Sequence, residues 1–125
     1  MTRDRERDLR EDQIELKFLE GVRRRIGDEP DLLKAIGDLY TAVGRHEEGL
    51  DVDLLLTRMC SDDAFVWYNL ACSLALLDRT GEALDALGRA IDLGYDDGDW
   101  MRTDTDLQSI RGDERFQALL KKLAT

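Results

Sequence analysis

The chain has 125 residues, 37% of them charged and 42% hydrophobic, with a single proline and a formal net charge of −10. That charge opposes binding to nucleic acid, which needs basic groups to displace counterions from phosphate, and it disfavours an anionic membrane surface. Leu, Ala, Asp, Glu and Arg dominate without Val/Ile/Thr-rich runs, which predicts an all-α protein, and no run approaches the roughly 20 apolar residues that span a bilayer.

The opening residues, MTRDRERDLRED, alternate in sign and lack the apolar stretch of a signal peptide. Cys60 and Cys72 are the only cysteines and form no C-x-x-C pair, so they read as reduced, buried thiols of a cytoplasmic protein. Leu16, Leu19, Val22 and Ile26 make an apolar stripe that predicts a helix over about 11–26, with residues 1–10 frayed or continuing it into solvent.

Asp28-Glu29-Pro30 supplies a capping residue and an early proline for a helix over about 30–43. Gly44-Arg45 breaks it, and Glu47 opens a second helix over about 46–60. Ser61-Asp62-Asp63 starts a third, over about 63–77, Thr80-Gly81-Glu82 turns into a fourth, over about 80–93, and Gly94 ends it.

These four helices form two copies of one pattern. Leu33 falls on Trp67, Ile36 on Leu70, Gly37 on Ala71, Tyr40 on Leu74, Gly49 on Ala83 and Leu50 on Leu84, each pair 34 residues apart. A fixed 34-residue period in helix pairs marks a helical repeat. Small residues (Gly37, Ala71, Ala83, Ala90) let backbones approach, and Trp67, Leu70, Leu74 and Leu87 fill the space between. Asp53 breaks the pattern by standing where a large apolar side chain belongs.

In Trp67, Leu70, Ala71, Leu74, Ala83, Leu87 and Ala90 the second copy resembles the tetratricopeptide repeat consensus. The resemblance implies a short αα-superhelix in one domain, 1–125. It divides into a capping helix (11–29), two repeats (30–63 and 64–97) and a C-terminal helical cap (98–125). Residues 100–123 are similar to the segment that follows the last repeat in many bacterial members. Trp100, Arg102, Asp104, Asp106, Leu107, Arg111, Asp113, Arg115, Phe116, Leu119 and Leu120 match it, while Thr105 and Glu114 replace its prolines. Asp104 and Asp113 then cap helices over about 105–110 and 114–123. Leu107, Ile110, Phe116, Leu119 and Leu120 are expected to bury against the fourth repeat helix, with Trp100 plugging the end of the core.

The family's function is protein–protein interaction, as an adaptor or co-chaperone-like scaffold, through the concave face of the first helix of each repeat. Here that face would carry Asp31, Lys34, Asp38 and Thr41, then Phe65, Tyr68, Asn69, Cys72 and Leu76. Lys34, Asp38, Thr41, Phe65, Tyr68, Asn69 and Cys72 are the candidate partner-binding residues, suited to a peptide or an amphipathic helix. Some members clamp a C-terminal carboxylate. Lys34 and Asn69 match two clamp positions, but Asp38 replaces a third and the repeat that supplies the rest is absent. Phe65, Tyr68 and Cys72 equally suit packing beneath residues 94–125. The competing functions are self-association, as a homodimer through an open end or the capping helix, and a small-ligand or enzyme-regulatory pocket.

Catalytic chemistry finds no constellation. His46, the lone histidine, falls in a predicted turn, no nucleotide or nucleophile motif occurs, and no cofactor or zinc site is expected. GYDDGDWMRTDTDL, residues 94–107, packs five aspartates around Trp100, yet it fails as a calcium loop. Counted from Asp97, the fifth, sixth and twelfth positions are Met101, Arg102 and Gln108 instead of an acidic residue, glycine and glutamate.

Overall fold

The computed structural model describes the backbone of residues 2–124 and the side chains of residues 8–124. Among them are seven α-helices, one 3₁₀ segment and no strand. In order these are α1 (Thr2–Ile26), α2 (Pro30–Ala42), α3 (His46–Met59), α4 (Ala64–Leu76), α5 (Thr80–Asp92), α6 (Gly98–Thr103), the 3₁₀ segment (Thr105–Ile110) and α7 (Glu114–Ala124). Each helix from α1 to α5 packs on the next, and the short connections make neighbours antiparallel. The result is an all-α, solenoid-like stack closed by helical segments. Among the described residues no helix is long and apolar enough to cross a membrane.

Local chemistry sets the boundaries. The Glu29 carboxylate accepts the Leu32 amide (3.0 Å) and Pro30 takes the first helical position of α2. Asp63 accepts the Phe65 amide (3.0 Å) at the start of α4. Gly44 and Gly94 adopt φ +81° and +112° after α2 and α5, a backbone region that side chains resist. Helix α1 runs back to Thr2, so the capping helix is longer than its apolar stripe. The start of its side-chain pattern, residues 1–7, lies outside the described side chains.

The 34-residue mates occupy equivalent places. Leu33, Ile36, Tyr40 and Leu50 are buried in the first hairpin; of their mates in the second, Leu70, Leu74 and Leu84 are buried and Trp67 is partly buried. A Cβ on Gly37 would stand 3.4 Å from both Val52 and the Asp53 carboxylate. A larger side chain there would therefore push α3 away from α2. One apolar cluster joins Leu16, α2 and α3; a second joins α4 and α5 to Met101, Leu107, Ile110 and Phe116.

The C-terminal cap corrects one expectation. Trp100 is 54% exposed, and the residue that plugs the core is its neighbour Met101, wholly buried. The reason is α6, a helix absent from the sequence reading. Asp97 caps it through the Trp100 amide (3.0 Å), and this start turns Met101 inward and Trp100 outward. Leu107, Ile110 and Phe116 are fully buried as expected, while Leu119 and Leu120 are half-buried. The 3₁₀ segment packs chiefly on α4 instead of α5, and α7 covers α5 and α6.

Candidate functional site

Two adjoining cavities form one groove along α2, α4 and α6. The first, about 310 Å³, runs from Asp38 and Thr41 on α2, past Asp53 on α3, to Cys72, Asp104 and Asp106. The second, about 610 Å³, lies between the start of α4 and the α5–α6 connection, with Phe65, Tyr95, Asp62 and Asp96 on its walls. Tyr68, Asn69 and Trp100 line both, so Trp100 stands at their junction.

Asp104 fixes the floor. It is buried, it caps the 3₁₀ segment by accepting the Asp106 amide (3.0 Å), and its other oxygen accepts the Tyr68 hydroxyl (2.6 Å) and the Cys72 thiol (3.7 Å). Arg111 donates to its carbonyl (2.7 Å), and Ser109 donates to the Ala75 carbonyl (2.8 Å). One side chain thus ties the segment after α6 to the inner face of α4. Burial raises the Tyr68 hydroxyl and the Cys72 thiol far above their ordinary pKa values, with the Asp104 carboxylate adding to both shifts. Both groups therefore stay protonated and act as donors.

The thiol of Cys72 and the carboxylates of Asp104 and Asp106 lie within 4.8 Å of one another. Here the thiol donates to Asp104, and both Asp104 oxygens accept hydrogen bonds, so the three groups are joined as a structural latch.

The first cavity gathers carboxylates. Desolvation by the groove walls raises the carboxyl pKa of half-buried Asp106 and of Asp38, whose side chain still reaches solvent, and burial pushes Asp53 up to about 6 against the opposing hydrogen bond from Ser73 (2.5 Å). His46, predicted in an exposed turn, is instead the first residue of α3 and half-buried, with Nδ1 shielded from solvent and lacking a hydrogen-bond partner among the described residues.

In the second cavity Tyr95 is the organising ring. It stacks on Tyr68 (centroids 4.4 Å, planes 10° apart), meets Phe65 edge-on (6.1 Å, 80°) and donates its hydroxyl to the Asp97 carbonyl (3.2 Å). Phe65 is 67% exposed and lines this cavity together with the exposed Trp100.

The structure brings Asp38, Thr41, Phe65, Tyr68, Asn69 and Cys72 to this groove, but in different roles. Phe65, Asn69 and Asp38 are exposed, while Tyr68 and Cys72 are buried and hold the cap. Thr41 bonds back to the Gly37 carbonyl (3.3 Å). Lys34 lines neither cavity; its ammonium pairs with Asp63 (3.2 Å) and ties α2 to the start of α4. Sequence reasoning missed Tyr95, Trp100 and Asp104 as groove residues. The alternation of aromatic and acidic residues in GYDDGDWMRTDTD was the available signal.

The chain is similar to a chloroplastic protein of Arabidopsis thaliana, at 31% identity over 117 residues that cover 91% of this chain and 34% of that protein. The chain thus spans about a third of the length of that curated relative. No family model matches, and no solved structure matches at a significant level.

Proposed function

We propose that the chain is a tetratricopeptide-type interaction module, without catalytic activity, that binds a segment of a partner protein in the groove between α2, α4 and α6. The observation that carries this reading is the pair of exposed aromatic side chains, Phe65 at 67% and Trp100 at 54%, facing one cavity. Large apolar groups left in water around a recess mark a place for a partner. Covering either ring stabilises a complex by about 2–3 kcal/mol, the scale of an interface anchor. The 34-residue period and the hairpin stacking support the family reading, and the rigid latch beneath the groove supports a preformed site.

The test is affinity capture from the native host with the wild-type chain, followed by recapture with a Phe65→Ala/Trp100→Ala variant. Loss of the main partner from the variant supports the groove; undiminished capture removes it. A second reading, self-association, rests on α1, where Ile14 and Phe18 are each 64% exposed. Light scattering across a concentration series decides it, since Phe18→Ser would dissociate a dimer built on that face.

A further inference from the structure

We infer that the cavity between Phe65, Tyr95 and Trp100 receives a guanidinium or ammonium side chain, so that the segment bound by the groove is basic. This rests on the groove reading above and adds the chemistry of what fills it.

Three features converge. First, the walls are aromatic: the exposed rings of Phe65 and Trp100 line a single recess, backed by the buried, mutually stacked Tyr68 and Tyr95. Aromatic faces carry negative charge density and attract a cation placed within about 6 Å of the ring. Second, the rim is anionic on both sides. Asp62 and Asp63 stand at the start of α4, and Asp96 and Asp97 stand before α6. Asp63 is paired with Lys34 and Asp97 serves as a helix cap, which leaves the exposed Asp62 and Asp96 to face an incoming charge. Third, no lysine or arginine among the described residues lines either cavity. The field continues beyond Trp100 through Asp38, Asp53, Asp104 and Asp106.

The competing ligands fit less well. An acidic segment or a terminal carboxylate would meet like charge along the whole groove. A purely apolar segment would cover the rings but strip water from the rim carboxylates without replacing it. A side chain with an aliphatic stem and a cationic head satisfies both, the stem lying against Trp100 or Phe65 and the head reaching Asp62 or Asp96. The net charge of −10 also speeds the approach of such a ligand.

The test is a random-peptide display selection on the full chain, with counter-selection on the Phe65→Ala/Trp100→Ala variant. Both replaced side chains are exposed, so the variant should keep the wild-type melting curve. Peptides held by the wild type and lost on the variant should be enriched in arginine or lysine. Replacing that arginine with citrulline, or that lysine with acetyl-lysine, should weaken binding roughly tenfold. Asp62→Asn/Asp96→Asn should weaken the parent peptide and flatten its salt dependence. Groove-dependent peptides that lack basic enrichment, or that tolerate the neutral replacements, overturn the cationic inference and leave the groove standing. Peptides held equally by both proteins, or no peptide at all, overturn both.

Discussion

Asp53 is the residue at which the two hairpins disagree, and the disagreement can be measured. Its mate 34 residues on is Leu87, wholly buried in the second hairpin. In the first hairpin a carboxylate takes that place, 6% exposed, with the Ser73 hydroxyl 2.5 Å away. Burial raises its pKa from 3.8 to about 6, Ser73 opposes the shift and Asp38 adds to it. The raised folded value means that the native state prefers the protonated form. Asp53 is therefore least unfavourable below the unfolded value near 4, and it costs stability progressively as pH rises through 6. A shift of this size corresponds to about 3 kcal/mol once ionisation is complete. Asp53→Asn keeps the shape and an oxygen for Ser73 while removing the charge. In urea titrations at a series of pH values, the variant should match the wild type near pH 4 and exceed it by about 1–3 kcal/mol near pH 7.5. The comparison cancels the general repulsion of an acidic chain, which both proteins share. A gap independent of pH, or a variant less stable at pH 7.5, would refute the assignment of a strained buried charge.

Other perturbations probe the cap and the groove. Met101→Ala should cost about 2–5 kcal/mol of unfolding free energy, whereas Trp100→Ala should change it by less than about 1 kcal/mol; equal effects would contradict the outward placement of the indole. Tyr68→Phe removes the donor to buried Asp104 and should cost about 1–3 kcal/mol, with faster amide exchange in residues 104–110 as the local readout. Gly94→Ala, at φ +112°, should lose roughly 1–2 kcal/mol because the turn after α5 needs a conformation that alanine resists. Calorimetric titration with calcium should give no heat of specific binding; a stoichiometric site would show that the Asp104 latch opens to take a cation.

How far each feature could be read from the sequence depended on whether its cause was local and periodic. The hairpins repeat small and large residues at fixed offsets, so the small position at Gly37 and the apolar positions at Leu33 and Ile36 followed from spacing. Helix starts at Glu29-Pro30 and Asp63 followed from capping chemistry. The C-terminal cap has no second copy to be aligned against, and its decisive choice was rotational. The cap of α6 at Asp97 sets which of two adjacent side chains faces inward, and both Trp100 and Met101 are apolar enough to fill a core. Size alone favoured the tryptophan. The backbone start placed the smaller, more adaptable methionine inside.

Asp104 explains why the groove itself was only half legible. In sequence it reads as a helix cap, a role met by its hydrogen bond to the Asp106 amide. The same carboxylate also anchors Tyr68 and Cys72, for which the sequence left partner contact and packing beneath residues 94–125 equally open. One residue therefore settles these two side chains as structural ones, and the exposed role falls to Trp100, carried on the cap. Under the proposed function, a partner would meet a surface made jointly by a repeat helix and its cap. Changes in the cap should accordingly alter partner choice more than changes at Tyr68 or Cys72, where substitution would act first on the fold.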